Sequence, residues 1–189
     1  MVGAGTGLLP MMGFLEDKAL DKKNGKPVGE IHLFFGCRTE KYFIYEDRVR
    51  DLEKDGLIKW HLALSRSTKV TPREYVQDKI SDLGNEIADL LLRDDTHYYV
   101  CGDARMADAC YEVCVGLLRK HAVMSRVSTA QHLKKMRLES CWQTDVWGIV
   151  SHFEDAKKDI IKKRQSVSKL WMSQFKTYDD IQMSDKITY

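Results

Sequence analysis

The feature that most constrains this chain is its alternation of short apolar runs with longer stretches of helical period. Ile31-His32-Leu33-Phe34-Phe35 stops at Gly36, residues 58–64 follow the turn Asp55-Gly56, and residues 97–101 lead into Gly102-Asp103. A last strand-like stretch covers 144–150. Runs this short, bounded by turn residues, read as buried strands. Between them the apolar spacing changes to threes and fours over 11–22, 42–54, 75–93, 106–121 and 129–138, which predicts helices. The clearest of these is 75–93, through Val76, Ile80, Leu83, Ile87 and Leu91. Strands alternating with helices imply an α/β fold, a parallel sheet covered on both faces. Ligands of such sheets bind outside the carboxyl ends of the strands. The loops 3–7, 36–38, 65–73 and 101–105 all fall there, so distant segments are expected to converge on one crevice.

Composition narrows the class. The chain has 189 residues, 43% hydrophobic and 31% charged, enough for one ordinary domain with a real core and perhaps an appendage. No apolar run approaches the roughly 18 residues of a membrane span. The apolar start, 1–14, is studded with glycine and lacks a basic beginning, unlike a signal peptide. From Ser151 onward 8 basic residues face 6 acidic ones, which leaves 22 of each before it, so the body carries no nucleic-acid footprint. Five cysteines are an odd number without framework spacing, which suits reduced thiols in an intracellular reducing compartment, cytoplasmic or mitochondrial. Cys110 and Cys114 lie four apart on one helix face; with no further ligand at metal spacing they read as core thiols, and no metal is expected. The histidines are scattered and none is given a role.

Three segments carry chemistry by their residue types. Gly3-Ala4-Gly5-Thr6-Gly7 opens a helix, where glycines let backbone N–H groups approach an anion and the helix end adds partial positive charge. Thr6 adds a hydroxyl, although the third glycine comes one residue early for the usual dinucleotide spacing. Ser65-Arg66 ends a strand where a nucleotide ribose would sit; a hydroxyl with a guanidinium suits a 2′-phosphate, whereas a ribose hydroxyl calls for an acid. Arg73 or Lys69 offers a second cation and Tyr75 a ring to stack. Ordinary solvated loop charges are the competing reading. Cys101-Gly102-Asp103 closes another strand and is expected to expose a thiol beside the crevice.

Together these segments resemble the NADPH-binding module of the ferredoxin–NADP reductase superfamily, closest to the C-terminal part of diflavin reductases of the NADPH–cytochrome reductase type. The matching stretches, in family order, are Gly3-Ala4-Gly5-Thr6-Gly7-Leu8-Leu9-Pro10, Phe35-Gly36-Cys37-Arg38, Ser65-Arg66, Tyr75-Val76-Gln77, Tyr99-Val100-Cys101-Gly102-Asp103-Ala104-Arg105 and Asp145-Val146-Trp147. Pyruvate:NADP oxidoreductase, with such a module at its C-terminus, and sulfite reductase flavoprotein are possible parents. The resemblance implies a Rossmann-like five-stranded sheet with NADPH and FAD as cofactors. It makes Gly5, Thr6 and Arg38 pyrophosphate contacts, counts Gly7 among the cofactor-binding residues, and makes Ser65, Arg66, Arg73, Tyr75 and Gln77 the 2′-phosphate and adenine site. Gly102 and Asp103 would also border the nucleotide. Cys101 would lie beside the nicotinamide, Asp145 would support hydride transfer and Trp147 would cover the flavin ring.

The resemblance also marks departures. Ala4 stands at a usual proline, Leu9 at a usual small residue, and no asparagine follows Arg105. Only Met1-Val2 remains of the first strand, which belongs in the middle of the sheet. The flavin domain with its Arg-x-Tyr-Ser-type motif is absent from these residues. Three arrangements follow: a piece of a longer reductase, a separate chain supplying strand and FAD domain, or a degenerate reductase-like subunit of a larger assembly. Expected partners are the FAD-binding domain or subunit and a flavin, haem or iron–sulfur acceptor. Residues 1–150 form the module. Residues 151–178 form an amphipathic helical extension, through Phe153, Ala156, Ile160, Val167, Leu170, Trp171 and Phe175, suited first to packing on its own or a neighbouring domain, with docking on a partner or a membrane surface as the alternatives. Residues 179–189 form a polar tail.

Overall fold

The computed structural model describes residues 1–67 and 73–148. The amphipathic extension and the polar tail lie outside the described residues, as does the end of the last expected strand. Five strands, β1 (Val2–Ala4), β2 (His32–Cys37), β3 (Lys59–Leu64), β4 (Tyr98–Asp103) and β5 (Trp142–Trp147), form one sheet in the order β3-β2-β1-β4-β5. Every neighbouring pair is parallel.

Helices cover both faces, because the strands are apolar on both. Leu33, Phe35 and Cys37 of β2 join one core with Leu8, Met11 and Leu15 of α1 (Leu8–Lys23) and Val49 and Leu52 of α2 (Glu46–Lys54). Against the other face pack α3 (Val76–Asp82), α4 (Gly84–Leu92) and α5 (Ala104–His121), through Val76, Ile80, Ile87, Leu91 and the row Ala107, Cys110 and Cys114. The helix α6 (Arg126–Leu138) packs on α5 and β5. All five cysteines are unpaired, and Cys110 and Cys114 are fully buried core thiols.

The first strand is as short as the sequence suggests, three residues between neighbours of six, yet it holds the centre of the sheet. Val2 pairs with both Phe34 and Val100, Gly3 with both Phe35 and Cys101. The Met1 amine donates to the His32 carbonyl at 2.8 Å.

Two local expectations change. The single helix over 75–93 is two, because Gly84, the first residue of α4, takes φ +32°, outside the right-handed range that would continue α3. The expected turn at Gly102-Asp103 belongs to β4, whose ladder with β5 runs on to the pair Asp103–Trp147.

Candidate nucleotide-binding site

In the order β3-β2-β1-β4-β5 the chain builds outward from β1 through β2 and β3, then returns to place β4 on the other side of β1. Loops leaving β1 and β4 therefore diverge and open a crevice at the carboxyl end of the sheet. A cleft of about 770 Å³ lies there, and Ala4, Gly5, Gly36, Arg38, Ser65 and Tyr75 are among its lining residues. Gln77, Asp103 and Trp147 line it as well. Five segments widely separated in sequence thus meet at one place.

The glycine segment divides its work. Gly5 to Gly7 form one turn of 3₁₀ helix, and α1 begins directly at Leu8 with no side chain capping its amide groups. Those N–H groups remain available to an anion at the positive end of the helix. Gly5 has φ +57°, and a Cβ placed on it would meet nothing within 4 Å, so its backbone is open to the cleft. Gly7 is different: a Cβ there would lie 2.1 Å from the Cys101 carbonyl oxygen. Its lack of a side chain serves the close approach of this turn to β4, and it is buried rather than facing the cleft. Thr6 is exposed beside it and does not line the cleft.

Pairing of β2 and β3 continues past their ends. The Ser65 N–H donates to the Cys37 carbonyl at 3.0 Å and the Arg66 N–H to the Arg38 carbonyl at 2.8 Å. Arg38 and Arg66, read from different segments of sequence, therefore stand side by side at one rim. Both are exposed, as is Arg73 across the undescribed loop 68–72. No carboxylate among the described residues pairs with any of the three, whereas Arg48, Arg50, Arg93 and Arg105 are each clamped by an acid. The nearby acids are engaged elsewhere: Glu74 binds Lys79 at 2.8 Å and Glu40 accepts from the Ser67 hydroxyl at 3.2 Å. Tyr75 is 46% exposed, and its N–H donates to Asp78 at 2.8 Å, fixing the start of α3 beneath it.

On the other side of the switch point, Cys101 of β4 pairs in register with Asp145 of β5, and Asp103 with Trp147. The Cys101 thiol is buried, not exposed as the sequence suggested, because the strand turns it into the core against α1. Burial pushes its pKa up, and the Asp145 carboxylate adds to the effect. Asp145 is exposed, and Trp147 is 52% exposed at the end of β5. Asp103 has a structural task as well: it accepts from the Arg105 N–H at 2.9 Å as N-cap of α5 and is held ionised by the Arg105 guanidinium, which lowers its pKa. Gly102 is buried and takes φ +149° over Met106. Leu9 is 47% exposed but does not line the cleft. Sequence reasoning missed Tyr42, Ala63, Glu74, Met106 and Ala109, which also line it. Met106 and Ala109 sit in the first turns after β4, a placement that marks them only once the strand order is known.

These features define a dinucleotide-binding α/β module, and comparison with known proteins agrees. Residues 1–112 match the oxidoreductase NAD-binding domain, and the chain belongs to that family. Within it, this is an NAD(P)-binding module of the diflavin-reductase type. It is 35% identical over 152 residues to a nitric oxide synthase-like protein of Bombyx mori, covering 79% of this chain and 14% of that protein. It is 34% identical over 149 residues to the NADPH–cytochrome P450 reductase of Drosophila melanogaster, covering 78% of this chain and 22% of the reductase. Over 103 residues, 54% of this chain, it is 44% identical to bifunctional cytochrome P450/NADPH–P450 reductase 1 of Bacillus subtilis, of which that stretch is 10%. The chain thus spans less than a quarter of the length of these relatives.

Proposed function

We propose that this chain binds NADPH in the crevice at the carboxyl end of its sheet and presents it to an FAD carried by another domain or chain. The observation that carries this reading is the set of exposed guanidiniums, Arg38, Arg66 and Arg73, without acidic partners among the described residues, beside an open glycine turn at a helix start. An anionic ligand with two separate phosphate groups fits that arrangement: the N–H groups at the start of α1 with Arg38 for the pyrophosphate, Ser65 and Arg66 for a 2′-phosphate. Tyr75 offers its ring face to the adenine, and Gln77 a polar edge.

When bound, the nucleotide supplies a hydride, and the acceptor flavin belongs outside the described residues. The protein's part is orientation of one ring against another. Trp147, exposed at the rim, would cover the flavin ring. Cys101 and Asp145, paired in register across β4 and β5, would border the nicotinamide, although neither side chain lines the cleft itself. Burial keeps the Cys101 thiol protonated at neutral pH, so it acts as a neutral contact rather than a nucleophile. The five unpaired cysteines support a reducing compartment, and the P450 reductases among the relatives support a flavin or haem protein as the final acceptor. Among the described residues no helix is long and apolar enough to cross a membrane.

Calorimetric titration of Arg66→Ala tests the assignment. Losing one charge-assisted contact to a phosphate is expected to weaken NADP⁺ binding roughly 10- to 100-fold and leave NAD⁺ binding unchanged. Equal loss for both nucleotides, or no loss for either, contradicts it.

A further inference from the structure

At the opposite end of the sheet, where the strands begin, three side chains from two segments point at one another. Glu30 lies just before β2, His32 opens β2 and Glu86 stands in the first turn of α4. The His32 side chain is 5% exposed, and its Nε2 makes no hydrogen bond although it is aimed between the two carboxylates. It lies 3.3 Å from Glu30 Oε1 and 3.5 Å from Glu86 Oε1. One ligand atom from each of the three residues falls within 4.8 Å of the others. Donors around a tetrahedral zinc ion, with bonds of about 2.0–2.1 Å, sit about 3.3–3.4 Å apart. The two contacts of Nε2 already have the length of tetrahedron edges.

We propose that Glu30, His32 and Glu86 form a binding site for a zinc-class divalent ion, separate from the nucleotide crevice and independent of the reading given to it. One imidazole nitrogen with two carboxylates is a donor set for Zn²⁺ or Co²⁺ rather than for Mg²⁺ or Ca²⁺, which take oxygen. The orientation of the imidazole is fixed from behind. His32 Nδ1 lies 3.2 Å from His61 Nε2, and the two rings stack at 5.4 Å. With Nδ1–H donating to His61, the lone pair of Nε2 faces the carboxylates, just as a hydrogen bond at the far nitrogen fixes the tautomer of a metal-bound imidazole. A cleft of about 390 Å³, with Glu30 and His32 in its wall, provides a way in.

A cation already sits against the same oxygens. The Lys59 ammonium bonds Glu30, and Glu86 at 2.8 Å, on a side chain 55% exposed. It marks the pair of carboxylates as a cradle for positive charge, and it is a tethered competitor whose flexible stem can swing into water. Bound metal would tie the start of β2 to α4.

The test is calorimetric titration of the full chain with Zn²⁺ alone, supported by Co²⁺ absorption as a report of coordination geometry. One tight equivalent is expected, with visible bands of tetrahedral cobalt bound through nitrogen and oxygen. Glu86→Gln, at a solvent-facing position, is expected to weaken binding at least 10-fold. Lys59→Met is expected to tighten it by a similar factor. His32→Gln should abolish the site; if that variant does not fold, the other two decide alone. Absence of zinc binding, or binding unchanged in Glu86→Gln and Lys59→Met, as adventitious binding at thiols or surface histidines would give, overturns the proposal.

Discussion

Gly7 is packed so tightly against β4 that one methyl group separates a working crevice from a disrupted one. A Cβ 2.1 Å from the Cys101 carbonyl can be accommodated only by moving α1 or β4, since the obstacle is backbone. Gly7→Ala is therefore expected to lose about 3 kcal/mol or more in urea unfolding. Gly13, an exposed position inside α1 where a Cβ meets nothing within 4 Å, gives the opposite sign. Gly13→Ala should gain about 0.5–1 kcal/mol by the same measurement. Cys37 separates chemistry from packing in a similar way. Burial, helped by the charges of Glu40 and Glu46, pushes its thiol up to about 11 from an ordinary 9. A group so raised stays protonated as pH climbs through 9, where about 1% of it is thiolate against half of a free thiol. Its alkylation at pH 9, followed by mass spectrometry, should be at least about 50-fold slower than that of a model thiol, and should rise toward pH 11. The resemblance made Gly7 a cofactor contact and the strand ending suggested an exposed Cys101; both positions are set by contacts between α1 and β4 that no local pattern displays.

At the scale of elements, β5 shows why burial rather than residue type decides a role. Its two tryptophans bracket the strand. Trp142 is 4% exposed, stacked on Tyr98 at 4.1 Å between ring centroids, with the Arg137 guanidinium 5.8 Å from the centre of its ring. Trp147 is half exposed at the cleft rim. Trp142→Ala is expected to cost about 3–5 kcal/mol, whereas Trp147→Ala should stay within about 0.5 kcal/mol. If Trp147 guards the nicotinamide side of the crevice, its alanine variant should also shift nucleotide preference toward NADH, read as a lowered ratio of NADP⁺ to NAD⁺ affinity; an unchanged ratio counts against that role. The strands and most helices were legible in the sequence, because their apolar periods are clean. The division of α3 from α4 was not: Val76, Ile80, Leu83, Ile87 and Leu91 keep helical spacing across Gly84, so the period continues although the backbone does not. Asp103 likewise reads as a turn residue, and its capping of α5 becomes visible only when the β4–β5 ladder is known to reach it.

For the whole molecule, strand order matters more than any motif. Alternation predicted a parallel sheet and the resemblance put the first strand at its centre, as found, but neither says that Arg38 and Arg66 end up as neighbours; the ladder running past β2 and β3 does. The histidine–carboxylate cluster at the far end was invisible for the same reason: Glu30 and His32 are two residues apart, but Glu86 joins them from α4, more than fifty residues on. The sheet thus has two chemically distinct ends, and the central claim concerns the carboxyl one. Amide chemical shifts of the isotope-labelled chain, followed as NADP⁺ is added, test it most directly. The account predicts the largest changes at Gly5, Thr6 and Leu8, at Arg38, at Ser65 and Arg66, at Tyr75 to Gln77, and at the Trp147 indole. Saturation without change at those positions, or with the largest changes around His32, Glu86 and Tyr98, would contradict it.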